Sequence, residues 1–576
     1  MDDTQSLEQL PQTAKVCLIM PRHLPLIAFL IAASVRAWLH FSTPMVQGMN
    51  GAYYLIQARS LIEKFSLAIP DLPLVFVIQA MLAKLIHLCS WLDLNQAVML
   101  AVKIVDSVLP ALAVFPIMQL GKTWSQGDKV DLAIIMLVAV LVPAGAPALL
   151  MVGDFEKNSL GLMLLCTLAW AIHRWIEEHT QKRLLIAASV LGLIGITHIG
   201  VLGTTLSFVS VTLITMALAH GREGVMRVLK LGLIAAPVIV LAAGVVFWKF
   251  DPSRIEKLIH AFSEPVDYLS GSGGPGGGPG PNGPPGGGRG GPMMMGPGFG
   301  GSGWMAYAPM IAFSLASLSA LGIAWWKRRT LGLANLALIT GAALTVIVLT
   351  GPWVQGDKVM RFQLNAVPLA LLCALFALLQ IPHRWARGIP GVLMLAAALV
   401  PTAMKLREGP RTIISIEAWK EMQSLATSIE NPKDTLIVAR HGLEWWTAWT
   451  LHTHIAQAQA LTADDWTKYQ HVWFIEQKKG MNMPMGGGPP GMGRGPDDRR
   501  PRERGGDFPP GMMPPPGMIN AGPPGRGRGG MMGPSIPNDA EVLHDGEFFK
   551  LAWVREAPEF VRSKEANPLD VFGSFP

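Results

Sequence analysis

The chain has 576 residues, 50% of them hydrophobic and only 15% charged, against about 25% charged in an ordinary soluble domain. That deficit excludes a mainly water-facing protein, because the apolar residues gather in blocks such as Leu132 to Val152 and Leu231 to Trp248, near the ~20 residues a helix needs to cross a hydrocarbon core. A formal net charge of +7 does not point to nucleic acid, since Lys and Arg stand at the ends of the apolar blocks and not along one face.

In chain order, a short N-terminal segment, 1–23, carries Lys15 and Arg22 and leads into the apolar run Leu24–Phe41, which Arg36 interrupts. No small-residue cleavage site follows, so this run is expected to be an anchored helix and not a removed signal peptide. Further membrane helices are expected at Ala97–Leu120, Leu132–Val152, Leu160–Ile176, Leu184–Ile196, Val201–Leu218, Leu231–Trp248, Trp304–Trp326, Leu331–Gly351, Phe362–Leu379 and Ile389–Met404. The stretch Leu72–Trp91 is ambiguous, because it carries Lys84 and His87 and follows Pro70 and Pro73.

Four connecting loops are basic: 173–183, 222–230, 327–329 and 383–387. Short cytoplasmic loops collect Lys and Arg, so these face inward. The N-terminus is then cytoplasmic only if Leu72–Trp91 does not cross, which makes that stretch an interfacial or re-entrant helix on the outer face. The expected fold is mainly α: a polytopic bundle of about eleven spans over 24–404 in the plasma (inner) membrane. Its first outer loop is 42–96, and residues 405–576 lie outside as a small soluble α/β domain.

Two segments are low complexity, Gly271–Gly303 and Met485–Pro534, the second set in an insert over 480–537. Such compositions bury too little apolar area to offset the entropy of ordering, and are expected to be mobile loops. Between them, Thr435–Ala439, Val472–Glu476 and Phe548–Val554 have the pattern of buried strands, and 417–429 and 443–454 that of amphipathic helices. The four cysteines are far apart and form no CxxC pair, so neither a disulfide framework nor a thiolate metal site is expected.

Charge in or near a membrane is costly, so each such residue is a candidate for function. The outer segment Gln47-Gly-Met-Asn-Gly-Ala-Tyr-Tyr-Leu-Ile-Gln-Ala-Arg59 starts as a turn and continues as an amphipathic helix, and Asp71 follows it. Lys103 and Asp106 lie three apart on one helix face, the spacing of a structural pair. Asp154, Glu156 and Lys157 open a helix in the second outer loop, His198 sits in a tight outer hairpin, and Arg361 lies at the outer end of a later span.

This order of features resembles the GT-C superfamily, the membrane glycosyltransferases that use polyprenyl-phosphate sugars, including protein O-mannosyltransferases and the aminoarabinose transferase of lipid A. Asn50-Gly-Ala-Tyr-Tyr54 occupies the place of the family's first motif, Leu72–Trp91 resembles its juxtamembrane helix, and Gly153-Asp154 its second acidic motif. Thr197-His198 resembles a polar pair on a later outer loop, and Arg361-Phe-Gln-Leu a late arginine motif. The resemblance implies sugar transfer at the outer face, from a polyprenyl-phosphate donor to a glycan, lipid or protein acceptor. It makes Asn50, Asp71 and Asp154 the candidate catalytic positions, and Tyr53, Tyr54, Arg59, Glu156, Lys157, His198 and Arg361 the candidate substrate contacts. A divalent metal ion would fit if two acids converge. One departure matters: the family's first acid is here Asn50, and an amide cannot accept the acceptor's proton. Asp71 or Asp154 then carries that role, or the chain is a non-catalytic protein on the same scaffold that binds a lipid-linked glycan or a partner. A transporter ranks third, because no internal repeat or broken helix pair is evident.

Overall fold

A computed structural model describes residues 21–250, 263, 308–354, 358–479 and 536–562. The expected mobile loops Gly271–Gly303 and Met485–Pro534 lie outside the described residues, as do residues 1–20. The described residues fall into two compact units, one ending at Ile416 and one beginning at Glu417.

The first unit is helical. Its elements are α1 (Leu24–Phe41), α2 (Gly51–Lys64), α3 (Leu74–Cys89), α4 (Leu94–Val108), α5 (Val114–Trp124), α6 (Lys129–Ala144), α7 (Ala146–Leu149), α8 (Glu156–Glu178), α9 (Gln181–Gly195), α10 (Ile199–Phe250), α11 (Ala308–Trp326), α12 (Leu333–Leu349), α13 (Lys358–Leu379) and α14 (Arg384–Glu408). Helix starts are set by side chains that take up orphan N–H groups: Asp93 accepts from the N–H of Gln96 at 2.9 Å to open α4, and Asp128 from that of Asp131 at 2.8 Å to open α6. Gly221 breaks α10 with φ 59°, so its distal half is a separate helix that holds the expected span Leu231–Trp248.

The expected spans fall on helical segments, although Ala97–Leu120 is divided between α4 and α5 and Leu132–Val152 between α6 and α7, and residues 304–307 lie outside the described residues. Seven helices among the described residues are long and apolar enough to cross a membrane, and α3, α11 and α12 supply shorter apolar helices. The chain is a multi-pass membrane protein. Apolar side chains stand exposed along α1, α11 and α14, including Leu26, Leu30, Leu315 and Leu393, as lipid-facing surfaces require.

The centre of this unit is polar. Arg36 is fully buried on α1, and all five of its N–H donors find acceptors. Nε donates to the Asp106 carbonyl at 2.7 Å and Nη2 to Asp106 Oδ1 at 2.6 Å. Nη1 reaches the carbonyls of Pro143 and Ala148 at 3.1 and 3.2 Å, and Nη2 also meets Ser159 Oγ at 3.4 Å. The two carbonyls belong to the ends of α6 and α7, where helix geometry leaves acceptors without intrahelical partners. Asp106 Oδ2 is shared between His40 Nε2 at 2.8 Å and the Gly153 N–H at 3.0 Å.

These contacts correct the expected pairing of Lys103 with Asp106. Although the two share a face of α4, Asp106 pairs with Arg36 and His40, and Lys103 Nζ donates to the carbonyls of Thr43 and Pro44 at 2.6 and 3.0 Å. A fully buried carboxylate takes the partner that brings the most donors, and a planar guanidinium brings more than an ammonium. Arg36, which interrupts the apolar run of α1, lies at the middle of the packing.

The second unit is α/β. Strands β1 (Thr435–Val438), β2 (His454–Ala456), β3 (His471–Gln477), β4 (Glu541–Asp545) and β5 (Phe549–Trp553) form one sheet in the order β2-β1-β3-β5-β4. β1 runs parallel to β2 and β3, and β5 runs antiparallel to β3 and β4. Leu436, Val438, Val472 and Phe474 build its core. Of the five strands, β2 and β4 have no counterpart among the sequence expectations, because one is three residues long and the other is largely exposed.

Removing one member of a buried pair strands the other charge, at a cost of about 3–5 kcal/mol. Asp106→Ala is therefore expected to lower the unfolding temperature of the detergent-purified protein sharply. Lys103→Met, which breaks only two hydrogen bonds to loop carbonyls, should lower it less. Equal effects in a thermal melt followed by size-exclusion chromatography would contradict this hierarchy.

Candidate functional site

The loops 42–50 and 150–155 meet backbone to backbone. Gly48 has φ +82° and Gly153 φ +76°, the left-handed region that favours glycine. A Cβ on Gly48 would stand 2.5 Å from Asp154 Oδ1, and one on Gly153 only 2.3 Å from the Gln47 carbonyl. Glycine at both positions is what lets the two loops touch. The contact is extended by the Gly48 N–H, which donates to the Arg411 carbonyl at 2.6 Å, beyond the end of α14.

Asp154 closes this junction. Its Oδ1 accepts from the Asn50 N–H at 3.0 Å, and the Asn50 side-chain amide donates back to the Asp154 carbonyl at 3.5 Å. The Asn50 N–H bond feeds the start of α2. Burial raises the Asp154 carboxyl above its ordinary value, against the lowering effect of the Asn50 and Met49 N–H groups.

Three residues further on, Lys157 forms an ion pair with Asp71. Asp71 is 3% exposed; it also accepts from the Tyr53 hydroxyl and, at 2.7 Å, from the Leu72 N–H. Gln57, one turn beyond Tyr53, donates to the same hydroxyl at 3.0 Å and to the Ile69 carbonyl at 2.9 Å. Tyr53, Tyr54 and Phe76 pack edge-on or tilted with centroids 5.5 to 5.7 Å apart, and Lys157 Nζ lies 5.7 and 5.6 Å from the Tyr53 and Phe76 rings. Burial, reinforced by the neighbouring carboxylates, holds both tyrosine hydroxyls well above their usual range, so they stay protonated donors. On the adjoining residue of α8, fully buried Glu156 accepts from Gln79 of α3.

The buried polar contacts continue toward α10 and α13. Asn158 donates to Asn365 at 3.4 Å, and a Cβ on Gly200 would meet His198 at 3.0 Å and Asn365 Nδ2 at 3.8 Å. Arg361, one turn before Asn365, is exposed and has no ionic partner among the described residues. Arg59, two turns beyond the start of α2, pairs with Glu63 at 2.7 Å and is partly exposed.

Asn50, Tyr53, Tyr54, Asp71, Asp154, Glu156 and Lys157 thus form one continuous region. Asn158 and Asn365 extend it toward His198, Arg361 stands one helical turn before Asn365, and Arg59 lies further along α2. Sequence reasoning did not single out His40, Gln79, Asn158 or Asn365, and marked Arg36 only as an interruption of the first apolar run. Arg36 and His40 carried a signal, since they lie four apart on one face of an otherwise apolar helix.

The residues do not compose a resident metal site. Among the described residues no three or more His, Cys, Asp or Glu come together. Asp71 is committed to Lys157, Tyr53 and its own backbone, and Asp154 to the start of α2.

Two outcomes are expected from this geometry. Gly153→Ala forces a strained φ and a clash with Gln47, costing about 1–3 kcal/mol for the backbone alone, readable as a lower unfolding temperature in detergent. Asp154 favours folding most in its protonated form: its contribution is fully present below the ordinary carboxylate value of about 4 and is lost as pH rises through the raised value. Asp154→Asn, whose amide oxygen can still accept from Asn50, should match wild type at pH 4 and equal or exceed its stability at pH 8. A variant that loses stability steadily from pH 4 to 8 relative to wild type would refute this.

No protein-family model matches the chain, and no curated protein matches it by sequence. Solved structures do match. The oligosaccharyltransferase of Archaeoglobus fulgidus in complex with Zn and sulfate superposes with a TM-score of 0.52 at 11% identity, over 78% of this chain and 67% of that one. The same protein tethered to an acceptor peptide containing the NVT sequon gives 0.50 at 11% identity, over 79% and 69%. ArnT from Cupriavidus metallidurans bound to undecaprenyl phosphate gives 0.49 at 10% identity, over 79% and 93%. At such identities the likeness is one of architecture: the two oligosaccharyltransferase matches show that this chain shares the fold of that protein over about four-fifths of its length.

Proposed function

We propose that this chain transfers a sugar from a polyprenyl-phosphate donor to an acceptor at the extracytoplasmic face of the plasma membrane, with its N-terminus in the cytoplasm and residues 405–576 outside. The observation that carries this reading is the joining of acids and cations at one end of the bundle: Asp154 with its raised carboxyl, the Asp71–Lys157 pair, and Arg361, which has no ionic partner among the described residues.

In the proposed reaction the acceptor's nucleophile attacks the anomeric carbon, the bond to the phosphate oxygen breaks, and polyprenyl phosphate leaves. Asp154 takes the nucleophile's proton, a role that suits a carboxylate whose affinity for protons burial has increased. Arg361 and Lys157 offset the charge growing on the departing phosphate, Arg361 through a planar fork that matches it. Tyr53 and Tyr54 shape the acceptor groove and donate as neutral phenols, while Asp71 fixes Lys157. His198 and Asn365 line the approach to Arg361. No step passes through a metal ion.

One observation favours a second reading, a non-catalytic protein that binds a lipid-linked glycan. Asn50 stands where the GT-C pattern has its first acid, and its amide is engaged with the Asp154 backbone.

The two readings separate in a transfer assay with purified protein and a polyprenyl-phosphate sugar, read by mass spectrometry of the released lipid phosphate. Asp154→Asn should lose about 10²–10⁴-fold in rate, the usual worth of a positioned base, with donor binding unchanged. Arg361→Ala should weaken donor binding about tenfold, the loss of one charge-assisted contact. Undiminished transfer by both Asp154→Asn and Asp71→Asn would remove the acids from the chemistry. Donor binding with no transfer by wild type would favour the second reading.

A further inference from the structure

A second constellation lies at the other end of the same helices. Ala316 and Ile323 of α11, Ala374 and Ala377 of α13, and Pro390 and Met394 of α14 line a slot of about 290 Å³. Three alanines on facing helix surfaces leave the space open. Apart from the hydroxyl of Ser319 its wall is apolar, so it suits hydrocarbon and not ordered water.

The mouth of the slot is basic and aromatic. α11 ends in Trp325-Trp326, followed by Lys327-Arg328-Arg329, and α14 begins with Arg384-Trp385. Lys327 Nζ donates to the Gln380 carbonyl at 3.0 Å, which holds the end of α11 against the end of α13. Trp326 is 84% and Trp385 77% exposed, the placement of indoles at a lipid–water boundary. Arg328, Arg329 and Arg384 are exposed and have no acidic partner among the described residues, whereas Arg174 and Arg183 pair with Glu178, and Arg387 with Asp128 and Asp131.

We infer that this slot binds one anionic phospholipid from the leaflet next to the basic loops, with an acyl chain between α11, α13 and α14 and the phosphate on the guanidinium groups of Arg328, Arg329 and Arg384. Basic pockets between membrane helices hold acidic headgroups through paired N–H donors. The cationic charge at the mouth, with no acidic partner among the described residues, is what distinguishes this slot from ordinary lipid contact. It is separate from the proposed transfer site: Ala374 lies about 20 Å along α13 from Arg361, at 1.5 Å per residue, and the inference does not rest on the transfer reaction.

The full chain in a neutral detergent, given equimolar palmitoyl-oleoyl phosphatidylglycerol and phosphatidylcholine, tests this by native mass spectrometry of retained lipid. Wild type should retain phosphatidylglycerol over phosphatidylcholine by about tenfold. The double variant Arg329→Ala/Arg384→Ala should bring that ratio near one. Ala377→Phe, or the milder Ala316→Met should the first misfold, fills the slot and should lower retention of both lipids without changing the elution profile. A control double variant, Lys122→Ala/Lys182→Ala, should keep the wild-type ratio. Equal retention of both lipids by wild type, an equal loss of preference in the control, or displacement of phosphatidylglycerol by equimolar undecaprenyl phosphate would overturn the inference.

Discussion

The guanidinium of Arg36 is the constraint on which the rest of this membrane unit depends. A cation taken out of water costs several kcal/mol unless geometry and hydrogen bonds are nearly complete. Here they are complete: five donors meet acceptors drawn from α4, the ends of α6 and α7, and α8. None of those acceptors can shift far without exposing an unpaired donor in the core. The carboxylate that answers Arg36 passes the constraint on, because Asp106 Oδ2 accepts the Gly153 N–H. Gly153 is the residue whose missing side chain lets the 150–155 loop reach the Gln47 carbonyl, and Asp154 is its neighbour. A pair in the middle of the helices thus fixes the position of the carboxylate at their end.

That chain of contacts gives Asn50 a structural reason to be what it is. An acid at position 50 would place a second negative charge against the part-buried Asp154, raising the cost of ionising either one. Asparagine keeps the same shape and offers an amide that donates to the Asp154 carbonyl. The opposite charge balance holds at Asp71, which is buried but faces Lys157 and the Tyr53 hydroxyl. Two acids a short distance apart therefore have different electrostatic surroundings, one raised by burial and one paired with a cation, and different roles follow from environment more than from residue type.

Most of the fold was legible because the bilayer simplifies its own problem: a spanning segment must satisfy its backbone internally, so length and apolarity suffice to find it. The break at Gly221 comes one residue before the basic stretch 222–230, which was expected as a loop and is helical. In the soluble unit, β1, β3 and β5 were visible as apolar runs, while β2 and β4 were not, since a three-residue strand and an exposed one have no such signature. The candidate site was legible as a set of loops but not as a set of bonds. Local spacing joined Lys103 to Asp106, whereas the real partners, Arg36 and His40, lie 70 and 66 residues away. Likewise Asn158 and Asn365 are separated by 207 residues, and nothing in the periodicity of either helix marks them as neighbours.

The helix α13 brings these themes together, because its two ends carry different charge logic. Near its start, Arg361 is exposed, with no ionic partner among the described residues, one turn before Asn365. Its last turn is covered by hydrogen bonds from outside: Gln126 caps the Leu379 carbonyl at 2.9 Å and Lys327 that of Gln380 at 3.0 Å. These cations and amides satisfy carbonyls that a helix end leaves orphaned. The end that meets α5 and α11 is thus closed by side chains of neighbouring segments, while at the other end the exposed Arg361 faces no acid among the described residues, so the two ends of one helix carry opposite charge logic.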